Sequence, residues 1–113
     1  MRTPLTLLAA CAAVALTAAQ VAAAPAPPSA AVTVKISNFT FAAPTITIAP
    51  GTTVTWINDD DIPHTVVADT KAFRSKVLDT GDRFAFTFTT AGRYGYFCSI
   101  HPHMTGVVVV KAP

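Results

Sequence analysis

From Val32 onward the apolar side chains recur at every second position, the period of a strand whose alternate residues face opposite sides of a sheet. Val32, Val34 and Ile36 alternate with Thr33, Lys35 and Ser37; Ile46 and Ile48 with Thr45 and Thr47; Val54 and Trp56 with Thr53 and Thr55. Threonine suits the wet face of such a strand. Phe84, Phe86 and Phe88 repeat the pattern, and the run from Gly106 to Val110, GVVVV, predicts a strand covered on both faces. Turn residues separate these runs: APG at Ala49 to Gly51, NDDD at Asn58 to Asp61, DTGD at Asp79 to Asp82 and AG at Ala91 to Gly92. No stretch of this region carries the period of an amphipathic helix. Seven or eight short strands with regular turn signals predict an all-β protein, an antiparallel β-sandwich. On this reading Trp56, Phe39, Phe41 and the Phe84, Phe86 and Phe88 stripe belong to its core, and Asp59, Asp60 and Asp61 to a solvated loop.

The first 31 residues differ in kind. MRTPLTLLAACAAVALTAAQVAAAPAPPSAA has one positive charge at Arg2, then an apolar run, then small residues suited to signal peptidase. The run is rich in Ala and broken by Thr17 and Gln20, unlike the roughly 20 strongly apolar residues of a membrane anchor. Residues 1–23 are therefore expected to be a secretory signal peptide cut after Ala23. LAAC at Leu8 to Cys11 resembles a lipoprotein box, but the apolar run before it is short and continues past the cysteine. Residues 24–31 read as an extended Pro/Ala-rich lead-in, and 32–113 as one small domain. The mature chain is expected in the periplasm, with no membrane span once the leader is removed, and as a monomer.

Loss of Arg2 leaves seven of the eight Lys and Arg against six acids. No basic stripe is present, which excludes a nucleic-acid partner; Lys71, Arg74, Lys76 and Arg83 read as a dispersed solvated surface.

Removing the leader leaves a single cysteine, Cys98, a single methionine, Met104, and three histidines, His64, His101 and His103. An odd cysteine in an oxidising compartment is dimerised, buried, reactive or bound to something. Four of those five residues fall between positions 98 and 104, in YFCSIHPHMTG. A thiolate, two imidazoles and a thioether suit copper in a trigonal site with a weak axial sulphur. Zinc prefers more thiolates or a carboxylate and gains little from Met, and a Cys-His nucleophile would give Met104 no part. Cys98, His101 and Met104 stand at i, i+3 and i+6, close enough to converge on one ion from a tight loop. His64, after Pro63 in DIPHTVV, would arrive from another strand end. Neighbours in an extended segment point to opposite faces, so His103, beside Met104, is expected to face solvent while His101 is the ligand. Pro102 holds His101 out of the helical region.

At these residues the sequence resembles the cupredoxins, the small type 1 blue copper proteins that include plastocyanin, pseudoazurin and the amicyanins. The resemblance runs from FTFAAPTITIAPGTTVTWINDDDIPHTV to GRYGYFCSIHPHMTGVVVV, and the short Cys-x2-His-Pro-x-Met loop is most like that of the amicyanins. It implies a Greek-key sandwich holding one copper ion between His64, Cys98, His101 and Met104, a one-electron carrier rather than an enzyme. It further implies His101 as the electron port, with Ile100 and Pro102 in a small docking patch. Redox proteins are the implied partners, a dehydrogenase as donor and a c-type cytochrome as acceptor. A copper storage or delivery protein is the alternative. One departure stands out: where many cupredoxins carry Asn after the first His ligand, this chain has Thr65.

Overall fold

The computed structural model describes residues 30–113, with Arg2, Pro4 and 12–15 ahead of them. The signal peptide and lead-in expected over 1–31 lie mostly outside the described residues.

Among the described residues there are eight strands and no helix. They are β1 (Ala31–Ser37), β2 (Thr40–Phe41), β3 (Thr45–Ile48), β4 (Thr52–Asn58), β5 (Val67–Ala68), β6 (Arg83–Phe88), β7 (Gly92–Phe97) and β8 (Thr105–Val110). They form two four-stranded sheets, in the orders β2-β1-β4-β6 and β3-β8-β7-β5. The all-β sandwich matches the alternation. The pairing is mixed rather than antiparallel throughout, because β1 runs parallel to β4 and β3 parallel to β8. Between β1 and β4 the chain crosses to the other sheet to lay down β3, and it returns in its original direction. A period of two reports which face a residue takes and says nothing about strand direction.

The alternation becomes burial. Val34 and Ile36 of β1, Val54 and Trp56 of β4, Tyr96 of β7 and Val108 and Val110 of β8 point between the sheets. Trp56 lies at the centre, with ring centroids 5.4 Å from Tyr96, 5.7 Å from Phe73 and 5.8 Å from Phe84. The Phe stripe of β6 is graded, since Phe88 is buried while Phe84 and Phe86 are partly covered. In β8, Val107 and Val109 are only half-buried, so this strand has one dry face rather than two.

Phe39 corrects the expected core, being 52% exposed. It sits with Asn38 in the two-residue loop joining β1 to β2, where Ser37 pairs with Thr40. Both loop residues have positive φ, 51° and 56°. A hairpin this tight needs that conformation, which Asn tolerates and Phe resists.

Gly106 marks a close approach, because a Cβ there would run into the ring of the buried Tyr96. Gly106→Ala is expected to destabilise the fold by about 1–3 kcal/mol, the range for overpacking a core. Denaturant unfolding would read this as a lower midpoint with unchanged slope; a midpoint at the wild-type value would mean that Tyr96 moves aside freely.

One register positions the site. β5 pairs with β7 so that Val67 lies opposite Phe97. Continued two residues beyond the strands, the same antiparallel count sets Thr65 opposite Ser99, which brings His64 beside the loop that starts at Cys98.

Candidate metal centre

The loop joining β7 to β8 is closed by its own backbone. Cys98 N–H donates to the Met104 carbonyl (3.0 Å), Met104 N–H to that of His101 (2.9 Å), and His101 N–H to that of Cys98 (3.2 Å). These bonds turn Cys98 and His101 toward the same side. Met104 is buried in the core cluster, and His103 is exposed, as alternation predicts. The His64 backbone is tied to Leu78 by N–H and carbonyl, at 3.1 and 2.8 Å.

The ring nitrogens and the sulphur converge. Cys98 Sγ is 3.7 Å from His64 Nδ1 and 3.7 Å from His101 Nδ1, and one donor atom from each residue lies within 4.8 Å of the others. Two donors held at roughly 2.0–2.3 Å from one ion and spread at trigonal angles stand about 3.5–4 Å apart. The observed separations fit that test. Cys98 and His64 are fully buried and His101 is half-buried, so the cluster is dry on one side and open at His101. A soft sulphur with two imidazoles and a neighbouring buried thioether is a donor set for copper.

Hydrogen bonds prepare the sulphur for this role. Thr65 N–H donates to Cys98 Sγ at 3.3 Å, and the Thr65 hydroxyl lies 3.8 Å from it. The same hydroxyl accepts from Ser99 N–H (2.8 Å) and meets the Ser99 hydroxyl at 2.7 Å. Thr65 thus ties the two metal-facing segments together. Burial pushes the Cys98 thiol up, but the Thr65 amide, the two histidine rings and the Ile100 amide outweigh it and bring the group to about 6 from 9.0. A value below the ordinary one means that the thiolate's contribution to stability is whole above about 9 and is lost as pH falls through about 6. Ultraviolet thiolate absorbance of the metal-free protein should therefore titrate with a midpoint near pH 6; an ordinary midpoint would show these hydrogen bonds to be ineffective.

Asp60 overturns its reading as a solvated loop residue. Its side chain is 12% exposed and accepts from His64 Nε2 at 2.7 Å. It also accepts from the Asn38 N–H (2.6 Å) and the Phe39 N–H (3.0 Å). Burial alone would raise its pKa; the Phe39 and Asn38 amides and His64 hold it below 3.8. A carboxylate can only accept, so the His64 proton sits on Nε2 and its lone pair at Nδ1 faces the cluster. The acidic triplet carried no signal separating Asp60 from its neighbours, although a carboxylate four residues before a candidate ligand is a place to look. Asn58 holds this loop: its Nδ2 donates to the Ile62 and Leu78 carbonyls, both at 2.8 Å, and its Oδ1 accepts from Asp60 N–H at 2.9 Å.

Known proteins are similar to this chain in sequence and fold. An amicyanin from Paracoccus versutus is 38% identical over 89 residues, covering 74% of this chain and 67% of the relative. Among solved structures, a purple cupredoxin from Nitrosopumilus maritimus aligns with a TM-score of 0.68 at 36% identity, over 71% of this chain and 99% of the other. A reduced amicyanin variant aligns with a TM-score of 0.67 at 36% identity, over 72% and 82%. The family model for copper binding proteins of the plastocyanin/azurin family matches residues 28–111. With nearly the whole described sandwich inside that match, the chain belongs to the plastocyanin/azurin family of copper-binding proteins.

Proposed function

We propose that this protein is a periplasmic one-electron carrier that holds a type 1 copper ion between His64, Cys98, His101 and Met104. The observation that carries this reading is the convergence of Cys98 Sγ with the Nδ1 atoms of His64 and His101, each 3.7 Å away, inside a closed loop. Similarity to the Paracoccus versutus amicyanin supports the carrier role over storage or delivery.

The bound ion would supply a single electron by cycling between Cu(I) and Cu(II). The chain's own contribution is to keep its donors still. Cys98 would bind as the thiolate that its hydrogen bonds favour, His64 is fixed by Asp60, and Met104 would add a weak thioether donor that helps tune the potential. His101 is the exit, because it alone of the three clustered donors is half-exposed. Around it Ile100 is 46% and Phe39 52% exposed, and Pro102 is exposed too. That small apolar patch suits brief docking to redox proteins, a dehydrogenase as donor and a c-type cytochrome as acceptor, which must separate quickly. The leader of 1–23 would deliver the chain to the periplasm, and no catalytic step is assigned to it.

The test is to load the mature protein with Cu(II), record its visible and EPR spectra, and cycle it with a reductant and an oxidant beside a copper chelator. An intense thiolate-to-copper band that returns in full after many cycles is expected. A colourless protein would overturn the reading, and a blue one that surrenders its copper on reduction would favour delivery.

A further inference from the structure

The Asn38–Phe39 loop is strained and wet, yet it is held more firmly than a hairpin tip requires. Two consecutive residues are left-handed, at φ 51° and 56°, and the second is a phenylalanine, whose bulk opposes that conformation. The residue is 52% exposed, so it adds little to the core. Strain and exposed apolar surface both work against the fold.

What the ring does touch is the metal cluster. It meets His101 edge-on, with centroids 5.1 Å apart and planes at 89°, and His64 edge-on at 5.7 Å and 87°. The backbone that carries it is anchored by Asp60, whose two carboxylate oxygens accept the Asn38 and Phe39 amides while one of them also accepts His64 Nε2–H. One largely covered side chain therefore connects the strained loop to a ligand, and the loop's ring leans on that ligand and on the next.

We propose that the Asn38–Phe39 loop is a brace, clamped by Asp60, that holds the His64 and His101 rings in the orientation copper needs, so that Phe39 and Asp60 are positioning residues. This rests on the copper-carrier reading above. Without the ring, His101 would lose the edge-on contact that helps keep Nδ1 aimed at the Cys98 sulphur. The left-handed backbone is tolerated because carboxylate acceptors satisfy both of its amides, the arrangement in which successive N–H groups cradle an anion.

Phe39→Gly separates a brace from a packing residue, because glycine relaxes the positive φ while deleting the ring. The metal-free variant is expected to melt at the wild-type temperature or above it. Its copper, once bound, should be lost to excess EDTA about tenfold faster, the scale on which supports behind a metal ligand act. Phe39→Tyr, which keeps the ring, should restore a rate close to wild type. Asp60→Asn, which cannot accept from all three donors, should also speed the loss and shift the His101 ring-proton NMR signals as Phe39→Gly does. Copper loss from Phe39→Gly at the wild-type rate would overturn the brace, as would a metal-free melting temperature that falls with it. Failure of the wild type to form the Cys98-dependent band would instead remove the copper-carrier reading, and the brace with it.

Discussion

Cys98→Ser is expected to abolish the intense visible band of the copper-loaded protein and to weaken copper binding by more than about 100-fold, beyond what loss of an outer-shell partner costs. Serine is close in shape, but its oxygen is hard and keeps its proton at neutral pH, so the soft anionic donor that selects copper disappears. Folding should survive the change. The Thr65 N–H that donates to Cys98 Sγ at 3.3 Å can donate to a hydroxyl instead, and position 98 is too enclosed for water to intrude. Below about pH 6, where the wild-type thiolate no longer contributes, the metal-free variant should unfold near the wild-type midpoint, and its thiolate titration near pH 6 should vanish. Retention of the blue band in Cys98→Ser would sink the ligand assignment. Collapse of the fold would mean that the sulphur serves packing first.

The second large effect lies behind the site. Asn58→Ala should lower stability by about 3–5 kcal/mol, a large part of the roughly 5–15 kcal/mol available to a small domain. Asn58 is fully buried, and its removal leaves the Ile62 carbonyl and the Asp60 N–H without their partner and the Leu78 carbonyl with only its bond from His64 N–H. Each buried polar group left unpaired costs about 1–3 kcal/mol, less where water can reach it, as it can around Asp60. Asn58→Asp keeps the acceptor but loses both donations, so it should be nearly as damaging. Chemical denaturation of the metal-free proteins decides the matter: a loss below about 1 kcal/mol would show the loop to be held elsewhere, by backbone bonds such as Gly81 N–H to the Asn58 carbonyl at 2.7 Å.

The chain's architecture was legible where the physics is local. A period of two sets which side chains face inward, so Val34, Ile36, Val54 and Trp56 could be assigned to the core from their spacing, and they are buried. The short strands β2 and β5 were not, since two residues cannot display a period. The chemistry was equally local around Cys98, His101 and Met104, which all fall within the seven residues between β7 and β8.

Other features depend on meetings between distant parts of the chain, which no local pattern encodes. Strand direction is one: β1 beside β4 in parallel follows from the detour through β3. Asp60 is another, because its importance lies in Asn38 and Phe39, 22 and 21 residues away, and its neighbours Asp59 and Asp61 share its chemistry without its position. Phe39 reads as core by hydrophobicity alone, yet the hairpin turns it outward against His64 and His101. Residue types and their spacing thus determined a sandwich and a donor set for copper. Only the tertiary structure decided how the donors are held, because a hydrogen bond or a ring contact forms between atoms that folding, rather than sequence order, makes neighbours.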